Sequence, residues 1–199
     1  MSSPDIPSPA VETVRIWDPL LRLFHWALAA TVVLAWGLGK FGPDIMTLHF
    51  YAGYAVIGLL AFRLLWALVG PRPARFSSFV YRPREILAYA AEAWRPRPSY
   101  WRGHNPLGGL FIVVLIAVLA LQALTGLVAD PDDFVNVGPL AASVPSWVSG
   151  SAPGWHELLG NLTLALVALH LGAIAFYKLW KHEDLIRPML TGRKTVRRG

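Results

Sequence analysis

The sequence predicts an all-α integral membrane protein, a four-helix transmembrane bundle, and three observations carry that expectation. Of 199 residues, 55% are hydrophobic and only 15% charged, with a mean hydropathy of +0.46, a balance foreign to a water-soluble domain of this length. Four apolar stretches, about residues 20–38, 48–69, 107–129 and 155–180, each approach the ~20 residues that a spanning helix needs. Their apolar character is continuous rather than alternating, which suits helices that satisfy their own backbone hydrogen bonds in hydrocarbon and not the strands of a barrel.

Residues 1–14 are polar and proline-bearing, and lack the basic start, apolar core and small-residue cleavage site of a signal peptide. They are expected to form a flexible cytoplasmic N-terminus, followed by one membrane domain over residues 15–188 and a basic cytoplasmic tail over 189–199. The net charge of +6 is arranged by loop rather than by face. Arg15 and Arg22 precede or open the first span, seven arginines fill the loop after the second, and basic residues follow the fourth. The loop between spans one and two has Lys40 as its only basic residue, and that between three and four carries Asp130, Asp132 and Asp133 with no base. By the positive-inside rule both termini and the middle loop face the cytoplasm of a multi-pass protein, and nucleic acid is not an expected partner.

The middle loop, about residues 70–106, is broken by Pro71, Pro73, Pro83, Pro96, Pro98 and Pro106. Within it REILAYAAEAW suits a short helix on the membrane surface, with Ile86, Leu87, Tyr89, Ala90 and Trp94 as its apolar side; a plain connecting segment is the alternative. The outer loop, residues 131–154, has an acidic head able to dock a basic redox partner, and its AASVPSWVSG segment suits the membrane interface.

Cysteine is absent, which excludes disulfides, iron-sulfur clusters and covalent c-type haem. Histidine carries the chemistry instead. His156 and His170 lie fourteen residues apart on the fourth span; on a helix this is about 21 Å of rise and four turns less roughly 40°, so both rings share a face at opposite sides of a ~30 Å core. Following the chain through the membrane, depth pairs His25 with His170 on the cytoplasmic side and His49 with His156 on the outer side. A single intramembrane histidine is more often a core residue or part of a proton path. Four at two matched depths suit two stacked haems, each taking two axial nitrogens.

Arg63 follows His49 by fourteen residues and so returns to the same face near the inner pair. A bare guanidinium at that depth costs about 2.5–3.5 kcal/mol and calls for an anion such as a haem propionate, a snorkelling side chain being the alternative. Arg22, three residues before His25, is the candidate for the other propionate. Gly53 and Gly160, each four residues after a ligand candidate, remove bulk on the ligand face, or allow close helix packing. His104 and His182 fall outside the pairing; either a quinone or proton role or an ordinary interfacial position suits them. Gln122, Thr125 and Asn161 read as interhelical hydrogen-bonding residues.

The chain resembles the bacterial cytochrome b561 family, including the b-type cytochrome subunits of nickel-iron hydrogenases. The resemblance rests on VRIWDPLLRLFHW around His25, LHFYAGY around His49, FRLLWALVGPRPARFSSFV from Phe62, RGHNPLGG from Arg102, LQALTGL from Leu121, and WHELLGNLTLALVALHLGAI through His156 and His170. It implies a di-haem b-type cytochrome of the bacterial inner membrane with His25, His49, His156 and His170 as axial ligands. Two non-covalent haems b and a quinone substrate are implied, with a c-type cytochrome, dehydrogenase or hydrogenase subunit as redox partner. No catalytic residue is assigned. A haem-bearing anchor for a hydrogenase or other dehydrogenase, and a superoxide:quinone oxidoreductase, remain open, with a histidine-using metal or proton transporter as the rival from another class.

Overall fold

Asp18 and Pro19 begin the first membrane helix. The Asp18 carboxylate accepts the Leu21 backbone N–H at 3.0 Å, satisfying one of the donors that a helix start leaves over, and Pro19 has no N–H to lose. In the computed structural model, which describes residues 11–44, 46–98 and 101–197, this helix, α1, spans Pro19–Phe41, and α2 spans Thr47–Val69. Next come α3 (Pro83–Glu92), α4 (Pro106–Val128), α5 (Ser146–Leu179) and α6 (Ile186–Thr191).

Helices α1, α2, α4 and α5 are long and apolar enough to cross a membrane. Only 6–28% of the most hydrophobic window of each is buried within the chain, and leucines such as Leu23, Leu68 and Leu169 face outward, as lipid rather than water requires. Helix α1 packs on α2, α2 on α4 and α4 on α5, whereas α5 makes at most marginal close backbone contact with α1 or α2. That loose seam runs the length of the bundle.

The fold is mostly helical rather than wholly so. Strand β1 (Val11–Arg15) pairs antiparallel with β2 (Arg193–Arg197), Val11 opposite Arg197 and Arg15 opposite Arg193. Residues 11–14 of the expected flexible N-terminus and much of the expected basic tail are therefore ordered against each other. Residues 1–10 and 198–199 of those two segments lie outside the described residues. The sheet closes over the bundle end that carries both described chain ends, here the terminal end. Gly192, at φ 79°, turns α6 into β2; its carbonyl accepts the N–H groups of Ile16 and Trp17, and a Cβ there would sit 2.6 Å from the Trp17 carbonyl oxygen. Ile16, Trp17, Leu21, Phe24, Ala74 and Val196 form one core cluster beneath this cap, and Val56, Leu60 and Leu119 a second within the bundle.

The fourth span differs from its expected limits. Helix α5 begins at Ser146 and absorbs the second half of the AASVPSWVSG segment expected to lie at the interface, so its 34 residues rise about 50 Å, more than a ~30 Å hydrocarbon core requires. Pro153 is the reason this is unexpected, since it removes a helical donor and reads as a boundary. Its effect is offset by the Asp130 backbone N–H, which donates to the Ser149 carbonyl at 3.0 Å, the group that Pro153 would otherwise leave unpaired. Helix α3 forms close to the expected position, with Glu85 accepting the Arg82 N–H at 2.7 Å. Its Tyr89 hydroxyl meets that of Tyr177 at 2.7 Å.

Candidate functional site

The four candidate histidines come together in two pairs along the seam between α5 and the α1–α2 hairpin. His25 and His170 have ring centres 6.3 Å apart, towards the terminal end. His49 and His156 have theirs 5.8 Å apart, towards the opposite end. These are the pairs that depth alone selects, because antiparallel helices place an early residue of one beside a late residue of the next.

Each pair is set by its surroundings. The His49 Nδ1–H donates to the Ala35 carbonyl at 2.8 Å, and the His156 Nδ1–H donates to the Gln122 carbonyl at 2.9 Å. A carbonyl only accepts, so both rings carry their proton on Nδ1 and have an acceptor lone pair on Nε2. The Gln122 side-chain amide occupies that lone pair, donating to His156 Nε2 at 3.2 Å, while its Oε1 is buried without a partner. Thr125 touches His156 Nδ1 at 3.2 Å. At the terminal end, Phe111 stacks on His170 with centres 5.5 Å apart and planes 13° from parallel, and His25 Nδ1 is buried with no hydrogen-bond partner.

Glycines make room for these rings. A Cβ on Gly126 would lie 2.8 Å from His156 Cε1, and one on Gly39 would lie 3.1 Å from His49 Cε1. Both glycines sit on helices neighbouring the histidine they serve, so sequence spacing from the histidines does not single them out; the same holds for Phe111 and the Ala35 carbonyl. Gly53 and Gly160 line the space between His49 and His156, the first facing open space and the second the Gln122 amide. That cavity measures about 90 Å3, well below the ~300–1,000 Å3 of preformed ligand sites.

Arg63 is buried and donates to the Ala74 carbonyl at 3.1 Å, with its guanidinium 5.6 and 5.3 Å from the ring centres of Phe76 and Phe79. The chain itself thus supplies partners to this intramembrane cation. Arg22 donates to the Leu190 carbonyl and keeps a buried Nε without a partner. His104 lies against Trp17 and Phe79, ring centres 4.6 and 5.3 Å away, with Nδ1 buried and unpartnered. Burial first, then the charges of Arg63, Lys194 and His25, push its pKa down to about 3. His182 stands apart from both pairs, in the turn after α5.

At the opposite end, Asn136 ties the α1–α2 and α4–α5 loops together. Its side chain donates to the Asp44 carbonyl at 2.8 Å and accepts the Met46 N–H at 3.0 Å, placing Asp44 on the same end as Asp130, Asp132 and Asp133. Hydrogen bonds from the Asn136 backbone, its side chain and the Val135 backbone hold the Asp133 carboxyl below its usual range.

Residues 16–192 match the family model described as prokaryotic cytochrome b561. The chain is 27% identical to a probable Ni/Fe-hydrogenase B-type cytochrome subunit of Azotobacter chroococcum mcd 1, over 90% of this chain and 87% of the relative. It is 25% identical to the probable superoxide oxidase CybB of Yersinia pestis, over 83% of this chain and 90% of the relative. No solved structure matches it significantly. Four membrane-spanning helices and a family match over nearly the whole length bear out the resemblance carried by the motifs: the chain belongs to the prokaryotic cytochrome b561 family of bacterial membrane electron carriers with haem b.

Proposed function

We propose that this protein is a di-haem b-type cytochrome that moves electrons between the membrane quinone pool and a partner redox protein. His25 and His170 would hold one iron and His49 and His156 the other. The observation that carries this reading is the pairing of imidazoles across the α5 seam at 6.3 and 5.8 Å between ring centres. An imidazole nitrogen binds a first-row metal at about 2 Å, so two such bonds plus the offset from each nitrogen to its ring centre come to about 6 Å. Nδ1 hydrogen bonds on His49 and His156 leave Nε2 for the metal and fix the ring orientation. Bis-imidazole haem supplies one-electron transfer at a potential tuned by burial and by hydrogen bonds to its ligands.

The remaining residues take supporting roles. Arg22, with its unpartnered Nε, is the propionate partner at the terminal end; Arg63 assists from its place between Phe76 and Phe79. The positive-inside rule favours a cytoplasmic side for this end, with its basic loops and both termini. His104 is the candidate for a quinone contact there.

A protein partner is favoured over superoxide as the outer redox agent by the carboxylates gathered at that end. Asp130, Asp132 and Asp133, with Asp44 beside them, repel a small anion and attract a basic protein face, such as that of a c-type cytochrome or of a hydrogenase or dehydrogenase subunit. Purification from haem-replete cells tests the whole reading. Two haems b per chain with low-spin spectra, reduction by a quinol, and oxidation by a basic c-type cytochrome at a rate that falls with ionic strength are expected. A colourless chain refutes the haem assignment; rapid reduction by superoxide that is insensitive to Asp132→Asn and Asp133→Asn refutes the choice of partner.

A further inference from the structure

At the terminal end, β1, β2, α6 and the turn at His182 enclose an open cavity of about 790 Å3. Strand alternation sets its chemistry. Val196 points into the core and is fully buried, while Thr13, Arg15, Arg193 and Thr195 take the opposite face, as residues two apart on a strand must, and line the cavity. The register puts Arg15 directly opposite Arg193 and Thr13 directly opposite Thr195. Arg187, on α6, lines the same space.

Like charges facing each other across a ladder oppose its pairing. Among the described residues none of these three guanidiniums is in an ion pair. The two carboxylates nearby are committed elsewhere. Glu183 is buried against Lys194 at 3.1 Å, and Asp184 accepts the backbone N–H groups of Ile186 and Arg187 at 2.8 and 3.0 Å. His182, at the cavity wall, has φ 53°, a left-handed backbone that a residue with a side chain holds at some cost and that recurs at functional sites.

We propose that this cavity binds a phosphate group. Planar guanidinium forks match oxyanions and prefer two charge-assisted hydrogen bonds each, and the paired threonine hydroxyls add neutral donors. The volume falls within the ~300–1,000 Å3 of small-molecule sites, so it takes phosphate on a larger body rather than the ion alone. That body is either a soluble phosphate compound or the headgroup of an anionic lipid, since the sheet caps the end of the bundle. The site does not depend on the haem assignment.

Thermal unfolding of the full chain in neutral detergent, followed by tryptophan fluorescence, tests the proposal with pyrophosphate titrated against chloride at matched ionic strength. A parallel series uses nanodiscs of phosphatidylcholine with and without phosphatidylglycerol. Stabilisation by pyrophosphate identifies a soluble ligand, and stabilisation only with phosphatidylglycerol identifies a headgroup. In either case Arg15→Gln with Arg193→Gln weakens the response about tenfold or more, the loss expected when charge-assisted hydrogen bonds go, and Arg187→Gln weakens it separately. In anion-free buffer Arg15→Gln alone melts above the wild type because the facing charges are relieved. No response to either anion, an equal response in the double variant, or a lower melting point for Arg15→Gln in anion-free buffer overturns the proposal.

Discussion

Replacing Gly126 with alanine measures how tightly the His49–His156 pair is built. The added methyl would approach His156 Cε1 to 2.8 Å and Nδ1 to 3.2 Å, where non-bonded carbon atoms settle at ~3.5–4.0 Å. The ring has little freedom to retreat, because its Nδ1–H donates to the Gln122 carbonyl at 2.9 Å on the same helix as the substitution. Relief requires moving the imidazole by roughly 1 Å or driving it off its rotamer, and overpacking of this kind costs about 1–3 kcal/mol. A metal bond of about 2 Å does not survive such a displacement intact. On the proposed assignment, Gly126→Ala should therefore lose the haem assigned to His49 and His156, or turn it high-spin, while the one assigned to His25 and His170 stays low-spin. Reduced-minus-oxidised spectra with haem quantification on the purified variant read both. Two unchanged low-spin haems per chain would refute the tight seat for His156, and parallel loss of both would refute the independence of the two pairs.

Two further outcomes follow from groups outside the pairs. Because the His104 pKa is lowered from 6.5 to about 3, the folded chain holds the neutral ring in acid that protonates the unfolded chain; stability is intact above the unfolded value and falls as pH drops below it. The loss should reach about 2 kcal/mol by pH 5, and melting curves against pH should lose that slope in His104→Asn; an unchanged slope would place the acid sensitivity elsewhere. Glu183→Gln leaves Lys194, 7% exposed, as a buried uncompensated charge, which costs about 3–5 kcal/mol. Its melting point should fall well below that of the wild type, and a fall no larger than for a surface pair such as Arg95 with Glu92 would contradict the burial.

What could be read from the sequence follows from which interactions are local. Span positions come from runs of apolar residues, and the grouping of His25 with His170 and His49 with His156 comes from helical rise combined with alternating direction; neither needs packing detail. The sheet was illegible because VETVR and RKTVR lie at opposite ends of the chain and each is only five residues long and partly charged, so neither announces a partner. The start of α5 at Ser146 was hidden by Pro153, whose effect is offset by an N–H from Asp130 that only the tertiary fold supplies. Gly39, Gly126 and Phe111 escaped for a similar reason: each matters to a histidine on another helix. Arg63 was legible as a buried cation, but its contacts with Ala74, Phe76 and Phe79 depend on how the loop after α2 folds back.

The most direct measurement of the central claim replaces each of the four histidines by alanine and records which haem component remains. His25→Ala and His170→Ala should remove one and the same spectral component, and His49→Ala and His156→Ala the other, each variant keeping one haem per chain. If His25→Ala and His156→Ala abolished the identical component, or if all four variants kept both, the two-pair arrangement across α5 would not be the haem scaffold.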